Sequence, residues 1–267
     1  MDSQNSSPNC RSRLTSEVRV SGGLRALSNP SLAADLCSRS GSGPLVSVIT
    51  VVRNGESTIG RCIESVLAQT YTNTEHIIVD GGSSDQTVPI LRSYGDKISL
   101  WISEPDKGIY NALNKGIELA RGSHYIPLGC DDVILAAGVE NLISRADENL
   151  VIFGKVRFVD AEKHLMKIIY NHSAGVLINT RLHAELGLYD ETYRIAADTK
   201  FLQLAERASY VQKIDEVVGE FAIGGASSNY GQSIREHARA MFEAGSWSAA
   251  RTYCWLAPRL LWSLIRQ

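Results

Sequence analysis

From Pro44 onward the chain alternates short apolar runs with polar turns at a regular interval. The run LVSVITVV (45–52) is β-branched and continuous, which predicts a strand buried on both faces. RNGEST interrupts it. Ser57 or Thr58 then caps an expected helix whose Ile59, Ile63, Val66 and Leu67 share one face. HIIVD (76–80) reads as the next strand, GGSSDQT as the next turn, and Thr87–Ser93 as a short helix. ISLWIS (98–103) is a third strand, Ile109–Ala120 a helix with Leu113, Ile117 and Ala120 on one side, and YIPLG (125–129) a fourth strand. Strands alternating with helices at this spacing predict a parallel sheet, and ligands bind in the loops that follow the strands of such sheets.

The second half loses that rhythm. LVIFGKVRFVD and KHLMKIIYN read as two strands around a polar turn, Thr180–Leu186 and Asp198–Arg207 as helices, and VQKIDEVVGEFAIGG (211–225) as one or two further strands. The expected fold is therefore α/β, an open and mostly parallel sheet whose later part becomes mixed. Three divisions follow: a tail over 1–43, a domain over 44–228 with halves of about 44–135 and 136–228, and a helical segment over 229–267.

Residues 1–43 contain eleven serines and no Phe, Tyr or Trp, so they lack the apolar area to offset ordering entropy and read as a disordered tail. Five Arg against three acids in the same stretch would also suit a transit peptide. At the other end, no acid follows Glu243, while Arg251, Arg259 and Arg266 remain and Trp247, Trp255 and Trp262 recur at intervals near whole helical turns. Pro258 predicts two short helices here in place of one. Aromatics with arginines and no acids suit a segment lying on an anionic membrane surface. A helix docked on the domain, or on a second subunit of a homodimer, fits equally.

Composition narrows the classes. A formal charge of −2 gives no electrostatic case for nucleic acid. Five scattered cysteines without a Cys-x-x-Cys pair argue against a disulfide framework and structural zinc and fit a reducing, cytoplasmic setting. No apolar run approaches a membrane span, and no secretory leader is legible.

Four polar clusters follow the expected strands: Arg53–Glu56, Asp80–Ser83, Glu104–Gly108 and Asp131–Asp132. The glycine-rich dinucleotide fingerprint and the phosphate-binding lysine loop are both absent, since VVRNGES has one glycine. Adjacent carboxylates at a strand end suit a hard divalent cation carrying substrate phosphates. Asp at a helix N-cap and first turn is the structural alternative. Cys130, too soft for such an ion, reads as a packing residue.

The segments VSVITVVRNGESTIGRCIESVLAQTYTNTEHIIVDGGSSDQTVPIL and SEPDKGIYNALNKGIELARGSHYIPLGCDD, in that order, resemble the family 2 glycosyltransferases of the GT-A fold over about residues 45–228. The likeness is greatest to the bacterial branch that builds exopolysaccharides, lipopolysaccharides and glycolipids. It implies an open, mostly parallel, Rossmann-like sheet with a mixed acceptor half, and inverting transfer from a nucleotide-diphosphate sugar to a lipid-linked or glycan acceptor. It places Thr50, Val51, Arg53 and Glu56 at the donor, the last three against the base. Asp80, with Gly81 beside it, would bind base or ribose, and Lys107 and Gly108 would lie near the donor. Asp131 would reach ribose or metal, and Asp132 would coordinate Mg2+ or Mn2+. NHSAGVLINTRLHAELGLYDETYRIAADTKF is similar to the acceptor-side stretch, which makes His172 a site-lining residue and Asp198 the general base; Asp198 also suits a helix N-terminus. A solvated loop is the alternative for Lys107.

The chain departs from the family pattern at Gly129, where relatives carry Asp or Asn, and at Ala197, where they carry Glu. Arg53, Ser173 and Leu204 also stand where other residues are common. With one carboxylate missing, Asp132 is expected to carry the cation, and restoring Asp at 129 to change little. Two other classes stay open: a nucleotidyltransferase-like enzyme, and a nucleotide-sugar-binding assembly protein that has lost catalysis. The likeness also implies a cytoplasmic protein, peripheral on the inner membrane face.

Overall fold

The structure, a computed structural model, describes residues 20–24, 43–146, 150–160, 162, 164–170, 172–222 and 230–265. The first half follows the expected alternation: β2 (Val46–Val52), α1 (Ile59–Leu67), β3 (Thr74–Asp80), α2 (Thr87–Tyr94), β4 (Leu100–Ser103), α3 (Ile109–Leu119) and β5 (His124–Gly129). The strand β1 (Val20–Gly22) precedes them. After β5 come β6 (Val133–Ile134), α4 (Gly138–Ile143), β7 (Val151–Val159), β8 (Leu165–Ile169), β9 (Val176–Asn179), α5 (Leu182–Leu186), α6 (Ala197–Arg207), β10 (Val211–Ala222), α7 (Tyr230–Glu243) and α8 (Ala249–Ile265).

The ten strands among the described residues form one sheet in the order β1–β4–β3–β2–β5–β9–β7–β10–β6, with β8 paired to β7. The four strands β4–β3–β2–β5 are parallel. The chain moves outward from β2 to β4, then returns to place β5 on the other side of β2. That reversal opens a crevice at the carboxyl ends of β2 and β5, where ligands of open α/β sheets bind. Beyond β5 the sheet is mixed: β9 runs antiparallel to both β5 and β7, while β10 runs parallel to β7.

Alternation along the strands supplies two cores. Ile49 and Tyr125 face α3 and α6, packing with Leu113, Tyr189 and Phe201. Val48 and Ile126 face α1 and α4, packing with Cys62, Val66 and Leu142. Both faces are covered, which is why these strands read as continuous apolar runs. Pro127, unusual in a central strand, sits beyond the short β5–β9 pairing, which ends at Tyr125.

Four expectations are corrected. Part of the 1–43 tail is ordered: Val20–Gly22 pairs antiparallel with Trp101–Ser103, because the β4 edge offers unpaired backbone groups. Residues 1–19 and 25–42 of that stretch lie outside the described residues. In α1 the buried stripe is Ile59, Cys62, Ile63 and Val66, while Leu67 is exposed. Leu67 lies about 80° round the helix from Ile59, off the stripe. Thr58 is the N-cap of α1 but makes no side-chain cap bond. Pro258 does not divide the last segment, because α8 runs through it, and Arg259 Nη1 donates to the Trp255 carbonyl within that turn at 3.0 Å. Pro258 costs the ladder one N–H, and that guanidinium bond helps hold the neighbouring backbone.

Candidate active site

A cleft of about 530 Å³ opens at the carboxyl ends of β2 and β5. Its walls carry Val51, Arg53, Gly108, Asp131, Asp132, His172 and Asp198, so seven of the expected site residues from five separate chain segments meet there.

The carboxylate pair follows β5. No helix starts beside it, since β6 begins at Val133, so the N-cap alternative does not apply. Asp132 is almost fully buried; its N–H donates to the Gly129 carbonyl at 3.1 Å, and its Oδ1 accepts a long 3.4 Å bond from Ala222 N–H. Burial, then the neighbouring Asp131, push its carboxyl well above the ordinary range. Arg61 donates to the Asp131 backbone carbonyl at 2.7 Å and adds only a weak opposing attraction. A Cβ on Gly129 would lie 2.8 Å from Asp132 Oδ2 and 2.9 Å from Asp131 Oδ1. The two carboxylates therefore converge over the space a side chain at 129 would fill. Hard carboxylate oxygens converging on one spot fit a divalent cation. The Cys130 thiol is pushed up to about 11, first by burial and then by Asp131, so it stays protonated beside Gly55 as a packing group. A different trio of metal-capable side chains, Asp160, Glu162 and His164, stands at the β7–β8 turn, away from the cleft.

Asp198 enters from the first turn of α6. Its Oδ1 lies 2.9 Å from the Tyr110 hydroxyl and accepts the Thr199 N–H at 2.8 Å. Burial raises its carboxyl above the ordinary range, and the Tyr110 bond partly opposes that. Tyr110 belongs to the first turn of α3, which starts after Gly108 at φ +127°, a conformation that suits glycine. Asn111 and Asn114, on the same helix, bond Glu191 and both backbone groups of Tyr189. The motif IYNALNKG thus fastens the loop that leads into Asp198.

His172 closes the cleft with Phe221. Its ring packs 4.1 Å from that of Phe221 and 5.3 Å from Phe158, and Nδ1 accepts the Ala174 N–H at 3.3 Å. Burial, with Lys167 nearby, lowers its pKa to about 4, so the ring is neutral near pH 7.

The remaining expected residues stand elsewhere. Strand alternation sends Thr50 to the α1 face, fully buried and 2.9 Å from His76 Nε2. Glu56 accepts the Gln86 N–H at the start of α2 at 2.8 Å, drawn there by free helix N–H groups. Asp80 is fully buried behind the cleft, accepting from the Ser103 hydroxyl at 2.5 Å and from both the N–H and hydroxyl of Ser83. Ser83 Oγ in turn receives the Asn54 N–H at 2.7 Å, so Asp80 braces the first loop. Gly81 donates to the Val52 carbonyl at 2.8 Å, and Lys107 is exposed; neither lines the cleft. Asp106, within the expected Glu104–Gly108 cluster, lines it, as do Tyr110 and Phe221, which sequence reasoning did not single out. Of those last two, only Tyr110 carried a signal, the 110/111/114 spacing that puts three polar groups on adjacent parts of a helix.

Comparison with known proteins places the chain in a family and a fold. The sequence profile described as glycosyl transferase family 2 matches residues 47–212. An uncharacterized glycosyltransferase of Mycobacterium tuberculosis is 33% identical over 207 residues, 70% of this chain and 79% of that protein. An uncharacterized glycosyltransferase of Rickettsia typhi is 31% identical over 191 residues, and the match spans 61% of this chain and 60% of the relative. Among solved structures, a mannosyltransferase from Pyrobaculum calidifontis, in complex with GDP-Man and Mn2+, superposes with a TM-score of 0.64 at 16% identity, covering 88% of this chain and 80% of that one. Staphylococcus aureus TarS 1–349 in complex with UDP gives 0.59 at 19% identity, covering 81% and 70%. At these identities the structures establish a shared fold.

Proposed function

The chain belongs to glycosyl transferase family 2, and on that premise we propose that it moves a sugar from a nucleotide-diphosphate sugar to an acceptor hydroxyl with inversion. The observation that carries this reading is the meeting, in one cleft, of a carboxylate pair at the β5 end, buried Asp132 beside half-buried Asp131, and a separate half-buried carboxylate, Asp198, on α6. One group suits the diphosphate end of a donor; the other suits a proton acceptor.

In this reading Asp132, with Asp131, holds Mg2+ or Mn2+. When bound, the ion supplies positive charge against the departing diphosphate. Val51 and Arg53 flank the base, with Glu56 and Asp80 shaping their loop from behind, and Gly108 admits the donor close to α3. The acceptor oxygen attacks the anomeric carbon while the bond to the diphosphate breaks, and the hydroxyl proton passes to Asp198. The raised proton affinity of Asp198 favours that transfer. His172, neutral, offers a hydrogen bond without adding charge.

The acceptor class we propose is lipid-linked or glycan, in surface-glycan synthesis. One relative, of Mycobacterium bovis, is a PGL/p-HBAD biosynthesis glycosyltransferase, 28% identical over 178 residues. No helix among the described residues is long and apolar enough to cross a membrane. Contact with an anionic membrane face would rest on Arg251 and Tyr253 of α8, both exposed. Cosedimentation with anionic liposomes at low salt tests that contact, and sedimentation equilibrium tests a homodimer.

The deciding experiment is a thermal-shift screen of nucleoside-diphosphate sugars with manganese, followed by donor hydrolysis with and without the metal. A donor that binds only the native state raises the melting temperature. A protein that no nucleotide sugar stabilises would overturn the donor-site reading.

A further inference from the structure

The polar face of α7 is turned onto the backbone that presents Asp198. Glu236 Oε2 accepts three consecutive backbone N–H groups, from Arg194 at 3.0 Å, Ile195 at 2.7 Å and Ala196 at 3.2 Å. Its Oε1 accepts Arg194 N–H at 3.2 Å and the Gln232 side chain at 2.9 Å. Those three peptides immediately precede α6, and a carboxylate there meets both the free N–H groups and the positive end of that helix. One and two turns on, Arg239 Nη2 donates to Thr192 Oγ1 at 3.2 Å, and Glu243 takes the Tyr193 hydroxyl at 2.9 Å and Lys200 Nζ at 2.7 Å. Positions 236, 239 and 243 share a helix face, so one side of α7 grips the whole approach to α6.

The opposite side of the same loop is held by α3. Asn114 bonds the Tyr189 backbone, and the Tyr110 hydroxyl reaches the Ile195 carbonyl at 2.5 Å as well as Asp198. Ile195 is therefore bonded at its carbonyl from the cleft side and at its N–H from behind. Ala197 is buried, and the carboxylate that meets the start of α6 comes from α7.

We propose that Glu236 is a positioning residue for the acceptor side of the site, fixing residues 194–196 so that Asp198 faces the cleft. Residue 236 lies beyond 47–212, the span matched by the family profile, so the C-terminal segment becomes part of the catalytic architecture. The proposal rests on Asp198 being the base. The titratable groups facing Asp198 are Tyr110 from α3, Tyr189 from the loop before α6, and Glu236 itself. Glu236 contributes to holding protons on Asp198, so its removal lowers that affinity, and the Asp198 proton leaves at lower pH.

The test compares Glu236→Gln, Glu236→Ala and Asp198→Asn in the full chain. Release of nucleoside diphosphate is followed from UDP-GlcNAc, UDP-glucose, UDP-galactose or GDP-mannose with manganese, using the one wild type hydrolyses fastest. The Asp198 carboxyl is titrated by carbon-13 NMR, its signal assigned by loss in Asp198→Asn. Glu236→Ala is expected to lower kcat about a hundred-fold with an unchanged donor KM, as a misplaced catalytic group does. Glu236→Gln, isosteric, is expected to keep the fold and more of kcat while moving the Asp198 titration to lower pH. Should Glu236→Ala fail to fold, the Gln variant decides alone by that titration. An unmoved Asp198 titration with kcat within two-fold of wild type overturns the proposal while leaving the base assignment standing. Full activity in Asp198→Asn removes the base assignment, and the proposal with it, whereas an inactive Asp198→Asn keeps the two separable.

Discussion

The Tyr110 hydroxyl lies 2.9 Å from Asp198 Oδ1 while sitting 2.5 Å from the Ile195 carbonyl, so two acceptors share one phenolic proton. The phenol favours the charged form of Asp198 and opposes the effect of burial. Tyr110→Phe removes that support. The acidic limb of the kcat/KM profile should then move to higher pH, opposite in sign to the shift expected for Glu236→Gln. Loss of the bond should cost about 1 kcal/mol in urea unfolding.

Asp198→Asn separates catalysis from stability. The folded carboxyl holds its proton more tightly than the unfolded one, so the native state binds more protons and stability falls as pH rises through that window. Above the folded pKa the wild-type chain keeps a buried charge that the amide lacks. Melting temperatures should therefore favour Asp198→Asn near pH 7, and the difference should shrink toward about pH 4, the ordinary carboxyl range. Turnover should fall by about 10²–10⁴, the usual contribution of a positioned base.

Manganese should raise the melting temperature of the wild-type chain by relieving the enforced proximity of Asp131 and Asp132 over Gly129. At about a hundred times its dissociation constant the gain is about 2.7 kcal/mol. Asp132→Asn should abolish the shift, and chelation should reverse it in the wild type. The same shift persisting in Asp132→Asn would place the ion elsewhere, with the Asp160–Glu162–His164 trio the first alternative to probe.

Gly129→Asp is no longer expected to be mild. Its Cβ alone would sit under 3 Å from both carboxylate oxygens, and its own carboxylate would add a third negative charge. Gly129→Ala separates the two effects, since it brings crowding without charge. Both should destabilise the metal-free protein by about 1–3 kcal/mol through overpacking, Asp more than Ala, and manganese should recover more of the loss in Gly129→Asp, whose added carboxylate is a further hard ligand.

Local order accounts for what was readable in the chain beforehand. Apolar runs such as LVSVITVV and HIIVD announced strands covered on both faces, and their strict alternation with helices announced the parallel half of the sheet. The loops after those strands carried Arg53, Gly108, Asp131 and Asp132, so this side of the cleft was legible from motif order. Less was legible where a side chain's direction decides its role. Thr50 and Val51 are neighbours in sequence, yet pleating sends one beneath α1 and leaves the other in the cleft.

The amino-acid sequence by itself determined the family, the alternating half of the fold and the residue types available for metal and proton transfer, because these depend on local periodicity and short motifs. Tertiary structure alone decided that Asp131 and Asp132 converge over Gly129, that Asp80 braces a loop from behind, and that Glu236 grips the peptides before Asp198. Glu236 and Ile195 are 41 residues apart, and their bond depends on how α7 packs against α6. No local pattern encodes such a contact: a glutamate on a helix face is suited to solvent until the fold brings unpaired backbone N–H groups within its reach.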